Sequence, residues 1–258
     1  MNFQCSVVAA PLRAEPNHRS EMVSQLLFGE SVKKITENEN WIKIIAEYDN
    51  YEGWVEKKSL QLVENISSEF RKKILCNETK FKNAPTQHII RLLPGSEFFV
   101  NNNNEIYFKN KILQPLESFD FIGVDELSSH FIADEILQTA SLFLNTPYLW
   151  GGKSLFGIDC SGFTQTVFKL NKIKLPRDAY QQAELGVNID FEQNKIGDLA
   201  FFKNENDKII HVGICISHHQ IIHCSISVRI DKLDEKGIWN EELKEYSHQL
   251  AFIKRIKQ

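Results

Sequence analysis

An α+β fold preceded by two small β-barrels is what this 258-residue sequence predicts. Three observations carry the prediction. Short strand-like runs broken by turn residues fill residues 1–124. Helical periodicity follows over 125–185. Strand patterns then return to the end of the chain. Helices first and an antiparallel sheet after them define the α+β class.

Residues 1–63 contain the runs SVVAAPL, VSQLLFGESVKKI, WIKIIAEY and YEGWVEK. Trp41 to Ile45 alternates, and Asp49-Asn50 marks a hairpin turn before Tyr51. Roughly 60 residues of short strands suit a small, strongly bent barrel. A weaker copy spans 66–124, with KKILC, HIIRLLPGSEFFV and NNNNEIYFKNKILQP. The polar run Asn101 to Asn104 reads as a loop tip. The third region is 125–258. In ELSSHFIADEILQTASLFLNT, Phe131, Ile132, Ile136, Ala140, Phe143 and Leu144 recur at helical spacing, and Pro147 ends the helix. Leu175 to Tyr180 opens a short polar helix running to Leu185. Strands follow at Gly197–Phe202, Ile209–Ile216, Gln220–Ile226 and Leu250–Ile256.

The chemistry centres on YLWGGKSLFGIDCSGFTQTVFKL, residues 148–170. Asp159 is a good N-cap, because its carboxylate accepts free amide protons of the first turn. Phe163, Val167, Phe168 and Leu170 continue at helical spacing, so Cys160 falls in the first turn of an amphipathic helix. A helix N-terminus carries about half a positive charge, which predicts a lowered thiol pKa and a reactive thiolate. Gly151, Gly152 and Gly157 leave bare backbone upstream, where a substrate chain could approach.

Composition narrows the alternatives. A net charge of -4 and a pI near 6.1 give no basic patch for nucleic acid. Cys5, Cys76, Cys160, Cys215 and Cys224 are scattered and odd in number, which suggests neither a disulfide framework nor a zinc ribbon. The first residues lack a basic region followed by an apolar core, and no window approaches the ~20 apolar residues of a membrane span. The expectation is a soluble cytoplasmic protein without a membrane partner, or a periplasmic one if a leader was trimmed.

Two histidines lie inside strands. Alternation sets His211, Gly213 and Cys215 on one face and the aliphatic Ile210, Val212, Ile214 and Ile216 on the other, packed in the core. The hairpin around His218-His219 decides whether His211 meets His223. A plain two-residue loop sends the rings to opposite faces. An odd loop or a bulge pairs His211 with Ser225 and sets His223 diagonally across on the same face, so a bulge or odd loop is expected. A cysteine at a helix start with two same-face histidines supplies a nucleophile, a base and an orienter of the base. His18, His88, His130, His218, His219 and His248 read as turn or surface residues.

These motifs, TPYLWGG, DCSGF, LPRDAYQQ, GDLAFF, HVGI and IIHCS, occur in the order found in the NlpC-type cell-wall peptidases, which the region 125–258 resembles. The resemblance implies a compact papain-like catalytic domain with Cys160 as nucleophile, His211 as base and His223 as the third polar residue. The 1–63 and 66–124 regions resemble the SH3-like modules that precede this domain in the branch trimming murein peptides. That branch implies cleavage between γ-D-glutamate and the following diamino acid in L-Ala-γ-D-Glu-diamino acid peptides. It implies Tyr148, Asp159 and Ser161 in the substrate pocket and Asp178 at the free amine of L-Ala. Ala179 stands where the branch often has Ser. Glu30 and Tyr51 are the candidates for closing the pocket from the first module. A monomer, a murein-peptide partner and no metal or organic cofactor are implied. The alternatives are an acyltransferase or amidase on the same fold, a cell-wall binding module, and a metal site from His211, Cys215, His223 and Cys224. The last fails on alternation, since Cys224 points away from His223. A phosphate loop at Gly152-Lys153-Ser154 fails because Pro147 stands where its first glycine belongs.

Overall fold

The computed structural model describes residues 2–62, 71–83, 86–101, 105–108, 111–123 and 133–256. The chain divides into two compact units, Met1–Leu127 and Ser128–Gln258. In the first unit, β1 (Asn2–Cys5), β2 (Ala9–Arg13), β3 (Met22–Leu27), β4 (Ser31–Asn38), β5 (Trp41–Ala46), β6 (Glu52–Glu56) and β7 (Leu60–Leu62) pair in the order β3-β2-β6-β5-β4-β1-β7. The run VSQLLFGESVKKI is two strands, because Gly29 turns the chain at φ 78°. The hairpin expected at Asp49-Asn50 forms, with Asn50 at φ 59°, a conformation that Asn tolerates better than most residues. Alternation drives Ile42, Ile44 and Val55 into one cluster with Leu12, Leu26 and Val32.

Strands β8 (Arg71–Leu75), β9 (Thr79–Asn83), β10 (Ile89–Leu92), β11 (Glu97–Val100), β12 (Ile106–Phe108), β13 (Lys111–Pro115) and β14 (Phe121–Gly123) pair as β10-β9-β13-β12-β11-β8-β14. This is the first order with every number raised by seven, so the weak copy read from the sequence is a repeat of topology. The repeat reaches single hydrogen bonds. Before β4 the Leu27 amide donates to Glu30 Oε2 at 2.9 Å, and before β11 the Leu93 amide donates to Ser96 Oγ at 3.3 Å. The Gly29 and Gly95 amides donate to Cys5 O and Leu75 O, both at 2.8 Å. The repeats are joined through Phe28, which packs with Leu75, Phe81 and Phe98, and through the Glu97 amide, which donates to Phe28 O at 2.7 Å. A Cβ on Gly29 would stand 1.8 Å from Glu97 O. Of the expected loop tip, Asn102 to Asn104 lie outside the described residues.

The second unit opens with α1 (Ala133–Ser141), which buries Ile136 and Ala140. Phe131 and Ile132, expected in this helix, lie outside the described residues. The helix stops five residues before Thr146, in a turn that still buries Phe143 against Phe163. The small hairpin β15 (Lys153–Ser154) and β16 (Gly157–Ile158) leads into α2 (Cys160–Leu170), and α3 (Ala179–Gln182) follows. The remaining strands are β17 (Val187–Ile189), β18 (Leu199–Lys203), β19 (Ile209–Ser217), β20 (Gln220–Cys224), β21 (Val228–Leu233), β22 (Gly237–Asn240) and β23 (Glu245–Arg255). Their order is β17-β23-β18-β19-β20-β21-β22, and β22 also pairs with β23. That last pairing closes six strands into a ring.

One face of the ring is apolar: Ala200, Phe202, Cys215, Ile221, Leu233, Ile238 and Ile253 cluster there. His211 pairs with Phe202 across the ladder, so it belongs to this face. The sequence assigned the core to the opposite, aliphatic face alone. Both faces are buried, since Val212 and Ile214 are also at 0% exposure. Around Val212 and Ile214 the sheet is covered on both sides, whereas Ile230 and the start of β23 are exposed.

Candidate active site

The first turn of α2 is fixed by Asp159. Its Oδ1 accepts the Gly162 amide at 2.7 Å, and its Oδ2 accepts the Gly151 amide at 2.8 Å. Arg177, absent from the sequence-based site, grips the same carboxylate with both ends of its guanidinium, Nη1 to Oδ1 at 3.0 Å and Nη2 to Oδ2 at 2.6 Å. The Ser161 hydroxyl donates to Asp159 Oδ1 at 3.3 Å and accepts from Arg177 Nη1 at 2.9 Å. Asp159 and Ser161 are thus occupied by donors of this chain. The upstream glycines serve the same packing. A Cβ on Gly152 would stand 2.4 Å from Gly157 O, and one on Gly157 2.5 Å from Leu149 Cβ. At Gly152 and Gly157 the bare backbone is filled by the loop itself, which corrects the expectation of open space for substrate at those two positions.

Cys160 follows at 8% exposure. Burial, and then the Asp159 carboxylate, push its thiol up to about 12, against the pull of the Val212 amide, Arg177 and the Ser161 amide. This reverses the predicted fall. A helix end contributes at most about 2 kcal/mol, whereas removing an anion from water costs several kcal/mol. The strand carrying His211 lies against the nucleophile, because the Val212 amide reaches the Cys160 sulfur. Tyr148 lies within electrostatic reach of the same sulfur. Burial, and then the charges of Cys160 and Asp159, raise its phenol above the ordinary range. Cys224, on the face away from His223, donates to Ile158 O at 3.1 Å.

The two strand histidines meet. His211 Nε2 lies 2.8 Å from His223 Nδ1, the rings nearly perpendicular at 87°. The register is the expected one. Gly213 pairs with His223, Cys215 with Ile221 and Ser217 with Gln220, so Ile216 is the bulge. Gly213 is required at this crossing, since a Cβ there would stand 2.8 Å from His223 Cβ. Burial, then His223 and His248, hold His211 well below the usual histidine range. At neutral pH the resting pair is a thiol and a neutral imidazole.

Asp231 and Arg229, unread in the sequence, join the group, as does His248. Asp231 Oδ2 lies 2.9 Å from His223 Nε2, and the Arg229 Nη2 donates to Asp231 Oδ1 at 2.9 Å. His248, expected at the surface, lies flat on His211 with ring centroids 4.1 Å apart at 26°. It does so because β23 starts at Glu245, five residues before the expected Leu250, and pairs His248 with Ile238 of the ring core.

The remaining predicted residues lie as follows. Asp178 is the N-cap of α3, its amide accepted by Gln181 Oε1 at 3.2 Å. The helix is fastened to the start of α2 by Gln182, whose Nε2 donates to Ser161 O at 3.0 Å. Glu30 and Tyr51 belong to the first unit. Glu30 is 3% exposed and holds the turn before β4, and Tyr51 packs against the Leu12–Ile44 cluster. Among the described residues, no group of His, Cys, Asp and Glu is arranged to hold a metal ion, no helix is long and apolar enough to cross a membrane, and all five cysteines are free thiols.

A nucleophile on a helix start, packed against a strand that carries the imidazole, is the plan of the papain-like cysteine peptidases. Comparison with known proteins gives the same class. The NlpC/P60 family matches residues 145–247, and the bacterial dipeptidyl-peptidase SH3 domain matches residues 12–60. A γ-D-glutamyl-L-lysine dipeptidyl-peptidase of Bacillus subtilis is 31% identical over 228 residues, covering 78% of this chain and 71% of that protein. Its namesake from Bacillus cereus is 28% identical over 256 residues, covering 86% and 74%. The crystal structure of an NlpC/P60 family protein from Bacillus cereus superposes with a TM-score of 0.88 over the whole of both chains, at 21% identity. The chain belongs to the NlpC/P60 family and is a cysteine peptidase with an N-terminal SH3-like domain.

Proposed function

We propose that this peptidase hydrolyses the bond between γ-D-glutamate and the following L-diamino acid in murein peptides with a free N-terminal L-Ala, a step of cell-wall peptide recycling. The observation that carries the reading is Cys160 at the α2 start, against the strand of a His211 that is itself tied to His223. The names of the relatives from Bacillus subtilis and Bacillus cereus point to the γ-D-glutamyl bond. Because the resting pair is neutral, the thiol proton passes to His211 as the sulfur attacks the γ-glutamyl carbonyl. The Cys160 amide, at the free end of α2, faces the developing oxyanion. Protonated His211 then gives its proton to the leaving amine. Water, deprotonated by the same ring, hydrolyses the thioester and releases L-Ala-D-Glu. No step calls for a metal or an organic cofactor.

The free amine of L-Ala calls for a carboxylate. Asp159 is held by Arg177 and two amides; Asp178, whose carboxylate also meets the Tyr180 phenol at the start of α3, is the residue of this unit assigned to that charge-assisted contact. Mass spectrometry of L-Ala-γ-D-Glu-L-Lys with the wild type and with Cys160→Ala, beside the N-acetylated peptide, tests the reading. Release of L-Ala-D-Glu from the free peptide alone, and by the wild type alone, is the expected result. Equal cleavage of the acetylated peptide overturns the amine contact, and no cleavage of either overturns the substrate.

A further inference from the structure

We infer that Asp231 is a positioning residue of this site: it selects the tautomer of His223 and, through it, the nitrogen of His211 that serves as the base. The inference rests on His211 being the base of the proposed function, and it deepens that reading by one residue.

Two short contacts link Asp231, His223 and His211 in a chain along which the hydrogens can be counted. An ionised carboxylate accepts hydrogen bonds and donates none. Asp231 is kept ionised. Burial opposes this, but hydrogen bonds from His223 and Arg229 outweigh it and hold the carboxyl below its usual range. The hydrogen at the 2.9 Å contact therefore sits on His223 Nε2. In the neutral form of His223 the imidazole carries one N–H and one lone pair, so Nδ1 is then bare and accepts. The hydrogen of the 2.8 Å contact then belongs to His211 Nε2. That leaves the lone pair of His211 on Nδ1, free to take the thiol proton. In the opposite tautomer His223 Nδ1–H donates to His211 Nε2, and His211 Nδ1 is already protonated. That arrangement has no base.

The surroundings leave the choice to Asp231. The His223 side chain is 1% exposed and that of Asp231 8%, so bulk water has little access to compete for Nε2. The register sets Asp231 opposite Ile221 and Arg229 opposite His223, which brings the carboxylate diagonally onto the imidazole.

Asp231→Asn tests this with little change of shape. Arg229 reaches both oxygens, Nη2 to Oδ1 at 2.9 Å and Nε to Oδ2 at 2.7 Å, so an amide keeps one neutral acceptor where the carboxylate offered two charged ones, and His223 Nε2 loses the anion that held its hydrogen. The readouts are kcat and KM on L-Ala-γ-D-Glu-L-Lys, and 15N NMR of the histidine rings in the full-length protein. The expected result is kcat lower by about 10- to 100-fold, the range found when the partner that orients a metal-ligating histidine is removed, with KM unchanged. His223 is expected protonated at Nε2 in the wild type and at Nδ1 in the variant, and Asp231→Glu is expected to restore both readouts. Should the Asn variant fail to fold, the wild-type spectrum and the Glu variant decide. A wild-type His223 protonated at Nδ1, or an Asn variant with kcat within about two-fold of wild type, overturns the inference. The ring spectrum needs no substrate, so a wrong substrate and a wrong role for Asp231 are told apart.

Discussion

Arg177 is the residue on which the nucleophile's turn depends most. Its side chain is 1% exposed and paired with an Asp159 side chain 9% exposed, so neither charge is compensated by water. Removing one partner of a buried pair costs about 3–5 kcal/mol. Arg177→Met is therefore expected to lower stability by that order in urea unfolding, and Arg177→Lys to recover only part, having lost the bidentate fit. A second residue-scale consequence concerns pH. Burial, then His223, hold His248 down at about 4, and His211 is depressed as well. Both groups bind protons more readily in the unfolded chain, whose histidines titrate near 6.5. Stability is then fully present above pH 6.5 and falls as pH drops from there toward 4. Thermal unfolding followed from pH 7 to 5 is expected to show this fall, with a shallower slope in His248→Phe, which keeps the stacked ring but not the titration. At this scale Cys160, His211 and His223 could be placed from the sequence because each sits in a regular element whose period can be counted, and the structure brings His211 and His223 into contact. Arg177 was passed over because its partner is set by tertiary packing, which no spacing encodes.

At the scale of elements, the bulge at Ile216 does for the site what the two-residue turn alone cannot. Without it, one ring would leave the face that carries the other. Deletion of Ile216 is expected to abolish the coupling of His211 and His223 and lower kcat at least as far as loss of the base, while a conservative Ile216→Val is expected to be near neutral. Gly213→Ala drives a methyl to within 2.6 Å of Ile221 Cδ1 and 2.8 Å of His223 Cβ. An overpacking cost of about 1–3 kcal/mol, with a loss of activity from the displaced His223, is expected in denaturation and rate measurements. The bulge was legible because a face requirement on two histidines constrained the register. Asp231 and His248 were within reach of the same reasoning. VRIDKL alternates, and EYSHQLAFIKR continues the last strand backwards, but both mix charged and apolar residues enough to pass for loop. The strand β22 has four residues and offers too short a window for any period.

For the whole molecule, the organising fact is the closure of the last sheet by β22 on β23. Closure turns one face into a dry interior, and at one end of it the polar chain His211, His223, Asp231 replaces the apolar filling. The repeat in the first unit shows the opposite relation between sequence and fold. One topology occurs twice on sequences that share little beyond the LLFGE and LLPGS turns, since a small barrel needs only alternation and a few fixed turns. The Ser128–Gln258 unit holds its own core and all residues of the chain from Cys160 to Asp231. Expressed alone, it is expected to unfold in one cooperative transition, and a broad, non-cooperative melt would contradict that autonomy. The central claim is that Cys160 carries the acyl group. Intact-protein mass spectrometry of the full chain, acid-quenched during turnover of L-Ala-γ-D-Glu-L-Lys and followed by peptide mapping, tests it most directly. The account predicts an L-Ala-D-Glu thioester on Cys160, absent from Cys160→Ala. Turnover without an adduct in Cys160→Ala, or an acyl group mapped to Cys224, would contradict it.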